Sequence, residues 1–177
     1  MQVLCHSRSL QKLYLKLSLD CGGGFDYSIV EGTKRGASFA PENVVDSSAN
    51  FKTSDGTNYY VPGDKSGNSR KGFTLALGCT RKVNGIRIKN SRSFDAKDRG
   101  TKEFELLGAM DSSGPWTNLL THEMVDPRSN DNIQEEILSF PEKEVKFIKW
   151  DVKSKVWGTG AALSYLKVKT GNQNKTF

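Results

Sequence analysis

The sequence predicts an all-β protein, an antiparallel β-sandwich, and two observations carry this prediction. Short apolar runs alternate with polar residues at a period of two, the pattern of strands with one buried and one solvated face. Almost no stretch shows the period of a helix, and 17 glycines, 9 phenylalanines and 5 tyrosines among 177 residues suit a turn-rich β protein. A chain of this length fits one domain with a substantial core.

The clearest strands lie in residues 72–116. Three apolar runs occur there: FTLAL at 73–77, IRI at 86–88 and FELL at 104–107. A polar, charged loop at 90–102 separates the second run from the third. Strands that frame such a loop are typical of a rigid scaffold that presents a binding tip.

Asn84-Gly85 is ordinarily a signal for a tight hairpin turn. Val83 and Ile86 flank the pair closely, so we expect instead a strand bulge in which the glycine allows close backbone approach.

Further strands are expected on both sides of this stretch, at 13–19, 59–61, 119–120, 136–140, 145–152 and 161–169. The strands at 136–140 and 145–152 are predicted to be separate and joined at Pro141. In the second of them Lys146, Ile148, Trp150 and Val152 share one face. The glycines at 22–24 are expected to begin an irregular segment.

Three regions are expected along the chain. Residues 1–20 form an N-terminal extension with a strand in it, residues 21–170 form the domain, and residues 171–177 form a C-terminal tail.

Basic residues are unevenly distributed along the chain. The net charge is +6, and residues 65–102 hold eleven Lys and Arg side chains against two aspartates. Such a block favours anionic partners through long-range attraction that salt weakens. The alternative is that these cations simply solvate the outward positions of strands.

Three cysteines, Cys5, Cys21 and Cys79, match no zinc pattern. A Cys21–Cys79 or a Cys5–Cys21 bridge is compatible with an oxidising compartment, and buried free thiols are the alternative. Lys12 and Lys16 interrupt the apolar part of the N-terminus, which makes it a poor signal peptide. The protein therefore either stays inside the cell or is a segment of a longer, secreted or membrane-tethered chain.

Several motifs, taken in their order along the chain, resemble the discoidin, or coagulation factor V/VIII type C, family of galactose-binding-like domains. The resemblance covers residues 36–170 and rests on PENVVD at 41–46, YYV at 59–61, FTLALG at 73–78, VNGIRIKN at 83–90, RGTKEF at 99–104, GPW at 114–116, VKF at 145–147 and GTG at 158–160. It implies a jelly-roll sandwich of about eight core strands whose loops at one end bind glycans, lipid headgroups or protein surfaces. Many relatives are modules of extracellular adhesion proteins.

The resemblance also implies a structural calcium ion in the loop at 45–53. Asp46 and Asn50 match the pattern of the family, and a curled loop of carbonyls with a carboxylate supplies the oxygens that calcium requires. Ser47, Phe51 and Tyr165 depart from the pattern, and these changes remove a carboxylate and a hydroxyl ligand.

Arg99 is the first candidate for ligand binding. Its guanidinium is a fixed fork of donors that suits sugar hydroxyls, sulfates or carboxylates. The resemblance places it near the end of the sandwich, just before Thr101. The alternative is an ion pair with Asp98 or Asp95 that stiffens the loop, and Asp98 is itself a candidate ligand-binding residue.

Trp157, in a glycine-rich loop, is a candidate platform for the face of a sugar ring, and Tyr59 and Tyr60 are similar candidates. Aromatic residues in sandwiches more often lie in the core, which is the alternative for all three. Trp116 and Trp150 are expected to be packing residues, and His122 is expected to be exposed and inert.

The sequence favours a binding module over an enzyme, because its two separated histidines and the absence of a nucleophile motif assemble no catalytic constellation. The leading hypothesis is an extracellular adhesion module that recognises a glycan or glycoprotein. The alternatives are electrostatic attachment of the 65–102 block to an anionic polysaccharide or lipid headgroup, and an intracellular protein-interaction module. Nucleic-acid binding is not expected, since the cations follow strands without a reader motif.

Overall fold

A computed structural model of the chain describes residues 27–32, 41, 72–91, 100–126, 134–156 and 161–171. These ranges contain six strands, β1 (Ser28–Gly32), β2 (Phe73–Asn90), β3 (Thr101–Ala109), β4 (Thr117–Glu123), β5 (Glu135–Lys155) and β6 (Leu163–Thr170). Every pairing among them is antiparallel, which confirms the predicted all-β class. No helix in these ranges is long and apolar enough to cross a bilayer.

The strands hydrogen-bond in the order β1-β2-β5-β3-β4, and β6 pairs with β2 as well. β1 pairs with the first residues of β2, where Gly32 lies opposite Phe73. β6 pairs with the second half of β2, from Val83 to Asn90. On the edge of β2 that does not pair with β5, β1 and β6 therefore lie at opposite ends of β2.

β5 folds back on itself between its two ends. Its first residue, Glu135, lies opposite Lys89, and its last residue, Lys155, lies opposite Thr101. Asn90 donates a hydrogen bond of 2.8 Å to the carbonyl of Thr101, so these two ends are close in space. A straight strand of 21 residues would be roughly 70 Å long. β5 must therefore bend, and β2 bends beside it.

The bend divides one ladder into two layers that form a sandwich. The large layer contains β1, β3, β4, the first half of β2 (73–77) and the second half of β5 (147–155). The small layer contains β6, the second half of β2 (83–90) and the first half of β5 (135–140).

Irregular pairing marks the bend. The register of β2 on β5 shifts between Ala76 and Arg81 and again between Val83 and Gly85. Gly78 lies in the first of these stretches with a φ of 73°, a conformation that glycine adopts at little cost. Pro141 lies opposite the second, where it need not donate a ladder bond. The prediction of separate strands on either side of Pro141 was therefore wrong, and FTLAL and IRI also belong to one strand.

The bulge predicted at Asn84-Gly85 is confirmed. The register shifts there against both β5 and β6. A β-carbon on Gly85 would lie 2.6 Å from the carbonyl oxygen of Leu138, closer than real contacts allow. The glycine is thus required by the approach of β5.

The core lies between the layers, and Trp150 is at its centre. Its ring is fully buried, with the ring centroids of Phe73 and Phe104 5.5 Å and 6.3 Å away. Ile148 and Val152 are buried on the same face, as the alternation predicted. Other core residues, drawn from both layers, are Leu75, Leu77, Leu106, Ile86, Ile88, Leu166 and Val168.

Three sequence predictions for the described residues need correction. Ser28–Gly32 is a strand although an irregular segment was expected; it is mostly exposed at the edge of the sheet, so its residues show no clear alternation. Lys146 is exposed while its neighbour Val145 is buried, because β5 passes from one layer to the other there. Trp116 is half-buried outside the core, with the Lys149 amine 5.8 Å from its ring centroid.

Cys79 is in a disulfide bond. The other cysteines of the chain, Cys5 and Cys21, lie outside the described residues. The strands predicted at 13–19 and 59–61 also lie outside the described residues.

Candidate functional site

One end of the sandwich receives the long connections of the fold, and we call it the loop-bearing end. The end of β2, the start of β3, both ends of β5 and the start of β6 meet there. β1 runs toward this end, and the first half of β2 runs away from it before the strand bends back, so the chain between β1 and β2 leaves on the same side. The connecting segments are 33–71, 92–99, 127–133 and 157–160, and in them the structure describes Pro41 alone.

Asn90, the last residue of β2, is bonded to the start of β3 and to the residues that follow β4 at the loop-bearing end. Its amide nitrogen donates to the carbonyl of Thr101 at 2.8 Å and to that of Val125 at 3.2 Å. Its side-chain oxygen accepts from the backbone N–H groups of Ser91 and Thr101, both at 3.0 Å. Asn90 is 1% exposed and uses the full hydrogen-bonding capacity of its amide. It therefore fixes both flanks of the 92–99 segment.

Thr101 extends this frame to β6. Its side chain is fully buried, and its hydroxyl donates to the carbonyl of Ala162 at 3.1 Å. Nearby, the N–H of Met124 donates to the carbonyl of Lys102 at 2.7 Å, which holds the end of β4 against β3.

A backbone hydrogen bond joins the flanks of two of the connecting segments. The N–H of Val156 donates to the carbonyl of Gly100 at 3.0 Å. Gly100 is the residue after Arg99, and Val156 is the residue before Trp157. The described flanks of the two segments are therefore in direct contact.

The predicted site residues lie outside the described residues. Arg99 and Asp98 belong to the 92–99 segment and Trp157 to the 157–160 segment, while Tyr59, Tyr60, Asp46 and Asn50 belong to 33–71. Their roles in binding a ligand or calcium stay predictions. The structure shows that each of these segments starts and ends on the side of the loop-bearing end.

Metal binding is not tested by the described residues. Within ranges 27–32, 72–91, 100–126, 134–156 and 161–171, no group of three or more His, Cys, Asp or Glu side chains could hold a metal. Tyr165, which stands where the family often has an acidic residue, is half-buried on β6, and burial raises the pKa of its hydroxyl.

The sequence suggested that His122 is exposed and inert, and the structure shows that this prediction was wrong. Its side chain is 25% exposed, and its Nε2 lies 2.6 Å from a carboxylate oxygen of Glu136. The other oxygen of Glu136 accepts from the N–H of Val125 at 3.4 Å. This pair joins β4 of the large layer to β5 of the small layer. Nothing in the sequence indicated it, because the two residues are 14 positions apart on different strands.

Three described polar side chains at the loop-bearing end hold the frame. Asn90, Thr101 and Glu136 each bond to backbone or to a neighbouring side chain. Side chains committed in this way stiffen a scaffold and leave ligand contacts to the segments that it carries. The arrangement suits binding by loops on a rigid frame.

No protein-family model matches the chain, and no curated protein matches its sequence. Solved structures do match. Chitosan-binding module 1 of a chitosanase/glucanase from Paenibacillus sp. IK-5 has a TM-score of 0.58 at 15% identity, covering 82% of this chain and 94% of its own. CBM32-1 of a family 31 glycoside hydrolase from Clostridium perfringens has a TM-score of 0.59 at 12% identity, covering 82% and 94%.

A further similar structure is CBM32 of AlyQ, in complex with 4,5-unsaturated mannuronic acid. Its TM-score is 0.54 at 13% identity, covering 82% of this chain and 95% of its own. The chain has the galactose-binding-like β-sandwich fold. The fold implied by the sequence motifs is thereby confirmed. Identities this low establish the fold and nothing beyond it.

Proposed function

We propose that the protein is a non-catalytic carbohydrate-binding module that holds a glycan at its loop-bearing end. One observation carries the proposal: the hydrogen bond between Val156 and Gly100, which brings together the flanks of the segments that contain Trp157 and Arg99. The fold supports it, because structures similar to this chain include a chitosan-binding module and a CBM32 in complex with a mannuronic acid.

The residue types in these segments suit a sugar. Trp157, Tyr59 and Tyr60 offer aromatic faces on which the apolar face of a sugar ring packs. Arg99 offers paired donors to hydroxyl or carboxylate oxygens. Asp98 either accepts from sugar hydroxyls or orients Arg99. Pockets that combine apolar faces with a few convergent polar groups are typical of small-molecule recognition.

The proposal also covers the location of the protein relative to the cell and the family to which it belongs. The disulfide at Cys79 supports an extracellular location, because disulfides persist in oxidising compartments. It also disfavours an intracellular interaction module. We assign the chain to the discoidin-like modules on its motifs, with a glycan or glycoprotein as partner. A structural calcium ion held by Asp46 and Asn50 is part of the same assignment.

A glycan array tests the proposal. We expect the wild-type protein to bind defined oligosaccharides, and Arg99→Ala and Trp157→Ala each to weaken binding to the best of them by about tenfold or more, the cost of a charge-assisted bond or of an aromatic contact. Arg81→Ala and Trp116→Ala are the matched controls. Arg81 lies at the other end of the sandwich and Trp116 lies in the outer surface, so replacing these residues of the same types should leave glycan binding unchanged.

Two results would overturn the proposal. One is a protein that is folded by circular dichroism and retains no glycan on the array. The other is a glycan whose affinity is unchanged in both Arg99→Ala and Trp157→Ala.

A further inference from the structure

His122 and Glu136 close one side of the sandwich near the loop-bearing end. His122 lies opposite Phe104 on β3, and Glu136 lies opposite Ile88 on β2. Because Phe104 and Ile88 are fully buried, both polar side chains face the space between the two layers. Among the described strands, β4 pairs only with β3 and the first half of β5 only with β2. The pair therefore spans the gap between two strand edges.

Glu136 uses both of its carboxylate oxygens. Oε2 lies 2.6 Å from Nε2 of His122, and Oε1 accepts a hydrogen bond from the backbone N–H of Val125 at 3.4 Å. The ring of His122 meets the ring of Phe104 edge-on, with 5.9 Å between the centroids. Because the Glu136 side chain is 17% exposed, a carboxylate without partners would be costly there, and these two contacts offset that cost.

These contacts hold both flanks of one connecting segment. His122 belongs to β4, Val125 follows that strand, and Glu136 is the second residue of β5. The 127–133 segment lies between them in the chain. We call His122, Val125 and Glu136 the β4–β5 clamp, because together they fix where this segment leaves the sandwich and where it returns.

From the β4–β5 clamp, hydrogen bonds continue to the flanks of the proposed glycan site. The carbonyl of Val125 accepts from the side-chain amide of Asn90 at 3.2 Å, and the same amide donates to the carbonyl of Thr101 at 2.8 Å. Gly100 precedes Thr101, and its carbonyl accepts from the N–H of Val156 at 3.0 Å. Val125 is thus a member of the clamp and also a partner of Asn90.

A second connection runs along the backbone of β4. Two residues after His122, the N–H of Met124 donates to the carbonyl of Lys102 at 2.7 Å. Lys102 follows Thr101 in the chain, so a displacement of the end of β4 would also displace the start of β3. The clamp is therefore coupled to the same flank of the 92–99 segment by two routes.

Another glutamate of β5 provides a comparison. Glu142 lies 3.7 Å from the amine of Lys82 near the other end of the sandwich, and its side chain is 45% exposed. An exposed pair of this kind contributes little to stability or to the position of its neighbours. Glu136 differs because its side chain is mostly buried and contacts both β4 and the residue that Asn90 holds.

We propose that Glu136 is a positioning residue for the glycan site at the loop-bearing end. By holding His122 and Val125, it sets the position of Gly100 and, through Gly100, of the flanks of the 92–99 and 157–160 segments. The inference rests on the proposed function, since it names a residue that acts on that same site from outside the segments that contain Arg99 and Trp157.

Hydrogen exchange of the ligand-free protein tests whether Glu136 holds the frame. In Glu136→Ala, the amides of Thr101 and Val156 should exchange about threefold or more faster than in the wild type, because the frame opens more often. The amide of Ile148, at the centre of the large layer, reports global unfolding and should change less. Glu136→Gln should restore the wild-type rates, since a glutamine amide can accept from Val125 and donate to His122. Glu142→Ala is the matched control and should leave the rates unchanged.

Titration calorimetry with the best neutral glycan from the array measures the effect on the site. At a temperature where circular dichroism shows each variant to be folded, Glu136→Ala should bind about threefold or more weakly than the wild type. Glu136→Gln and Glu142→Ala should bind as the wild type does. A merely structural role of Glu136 would lower the free energy of unfolding and leave the affinity of the folded protein unchanged.

The outcomes separate this inference from the proposed function. A wild-type protein that binds no glycan overturns the proposed function, and the exchange rates then decide whether Glu136 positions the frame. Wild-type exchange rates in Glu136→Ala would overturn the inference, and so would unchanged glycan affinity in a variant whose frame exchanges faster. Equal loss of affinity in Glu142→Ala would overturn it as well.

Discussion

The two ends of the sandwich are built differently. At one end a short turn joins β3 to β4, closed by a 3.1 Å bond from the N–H of Gly114 to the carbonyl of Asp111 and by bonds within the exposed turn. At the loop-bearing end three of the four connections are longer than this turn, and buried side chains hold flanks of the connections there. Asn90 bonds there to a residue 35 positions away.

This difference indicates where evolution could change sequence without losing the fold. A turn that closes on itself needs no help from the core. Long connections need fixed starting points, and buried hydrogen bonds supply them at a site that water does not reach. The stiff frame at the loop-bearing end therefore lets the segments it carries specialise for a ligand.

Asn90→Ala should give the largest effect. It removes four hydrogen bonds to backbone groups, three of them buried and the one to Val125 part-buried, and we expect a loss of about 3 kcal/mol or more in the free energy of unfolding. Urea unfolding followed by tryptophan fluorescence measures it. The matched control is Asn118→Ala, which removes an exposed amide that donates to the Thr121 hydroxyl at 3.0 Å and should cost less than about 0.5 kcal/mol. Equal costs would contradict the contrast between buried frame and exposed surface.

Thr101→Val should give an intermediate effect. Valine keeps the shape of the side chain but removes the hydroxyl that donates to Ala162, so the carbonyl of Ala162 loses its buried donor. We expect a loss of about 1–2 kcal/mol in the same assay. Thr117→Val, at an exposed position on β4, should change stability by less than about 0.5 kcal/mol. If Thr101→Val left the free energy of unfolding unchanged, the hydrogen bond that links Thr101 to the start of β6 would add nothing to the stability of the frame.

Asp111→Ala, in the turn, should give the smallest effect on stability, and the size of this effect depends on pH. Hydrogen bonds from the N–H and the hydroxyl of Ser113 hold the pKa of Asp111 below its usual value. A lowered pKa contributes stability above the unfolded-state pKa, and this contribution disappears as the pH falls through the folded-state pKa. The variant should therefore be slightly less stable than the wild type near pH 7. The gap should narrow toward about pH 2. A gap that widens in acid would be inconsistent with this turn.

Local pattern in the sequence predicted much of the fold. The alternation of Phe73, Leu75 and Leu77 identified a strand and its buried face, and the spacing of Ile148, Trp150 and Val152 did the same for β5. The residues around Asn84-Gly85 predicted a bulge in place of a turn. Each of these signals depends on neighbours a few positions apart, where periodicity is informative.

Contacts between distant parts of the chain could not be predicted in this way. Gly78 and Pro141 are typical of strand ends, yet here they lie within strands that bend between two layers. The partners of Asn90 and the pairing of His122 with Glu136 depend on the packing of separate strands. Arg99, Trp157 and the other predicted site residues came from motif resemblance, and they remain predictions.

Mapping the ligand on backbone amides tests the central claim most directly. In two-dimensional ¹H–¹⁵N NMR spectra, the best neutral glycan from the array should shift the amide signals of Ser91, Gly100, Val156 and Ala161, which flank the segments at the loop-bearing end. The signals of Ser113 and Gly171, at the other end, should stay in place. Shifts confined to the turn end would contradict the claim.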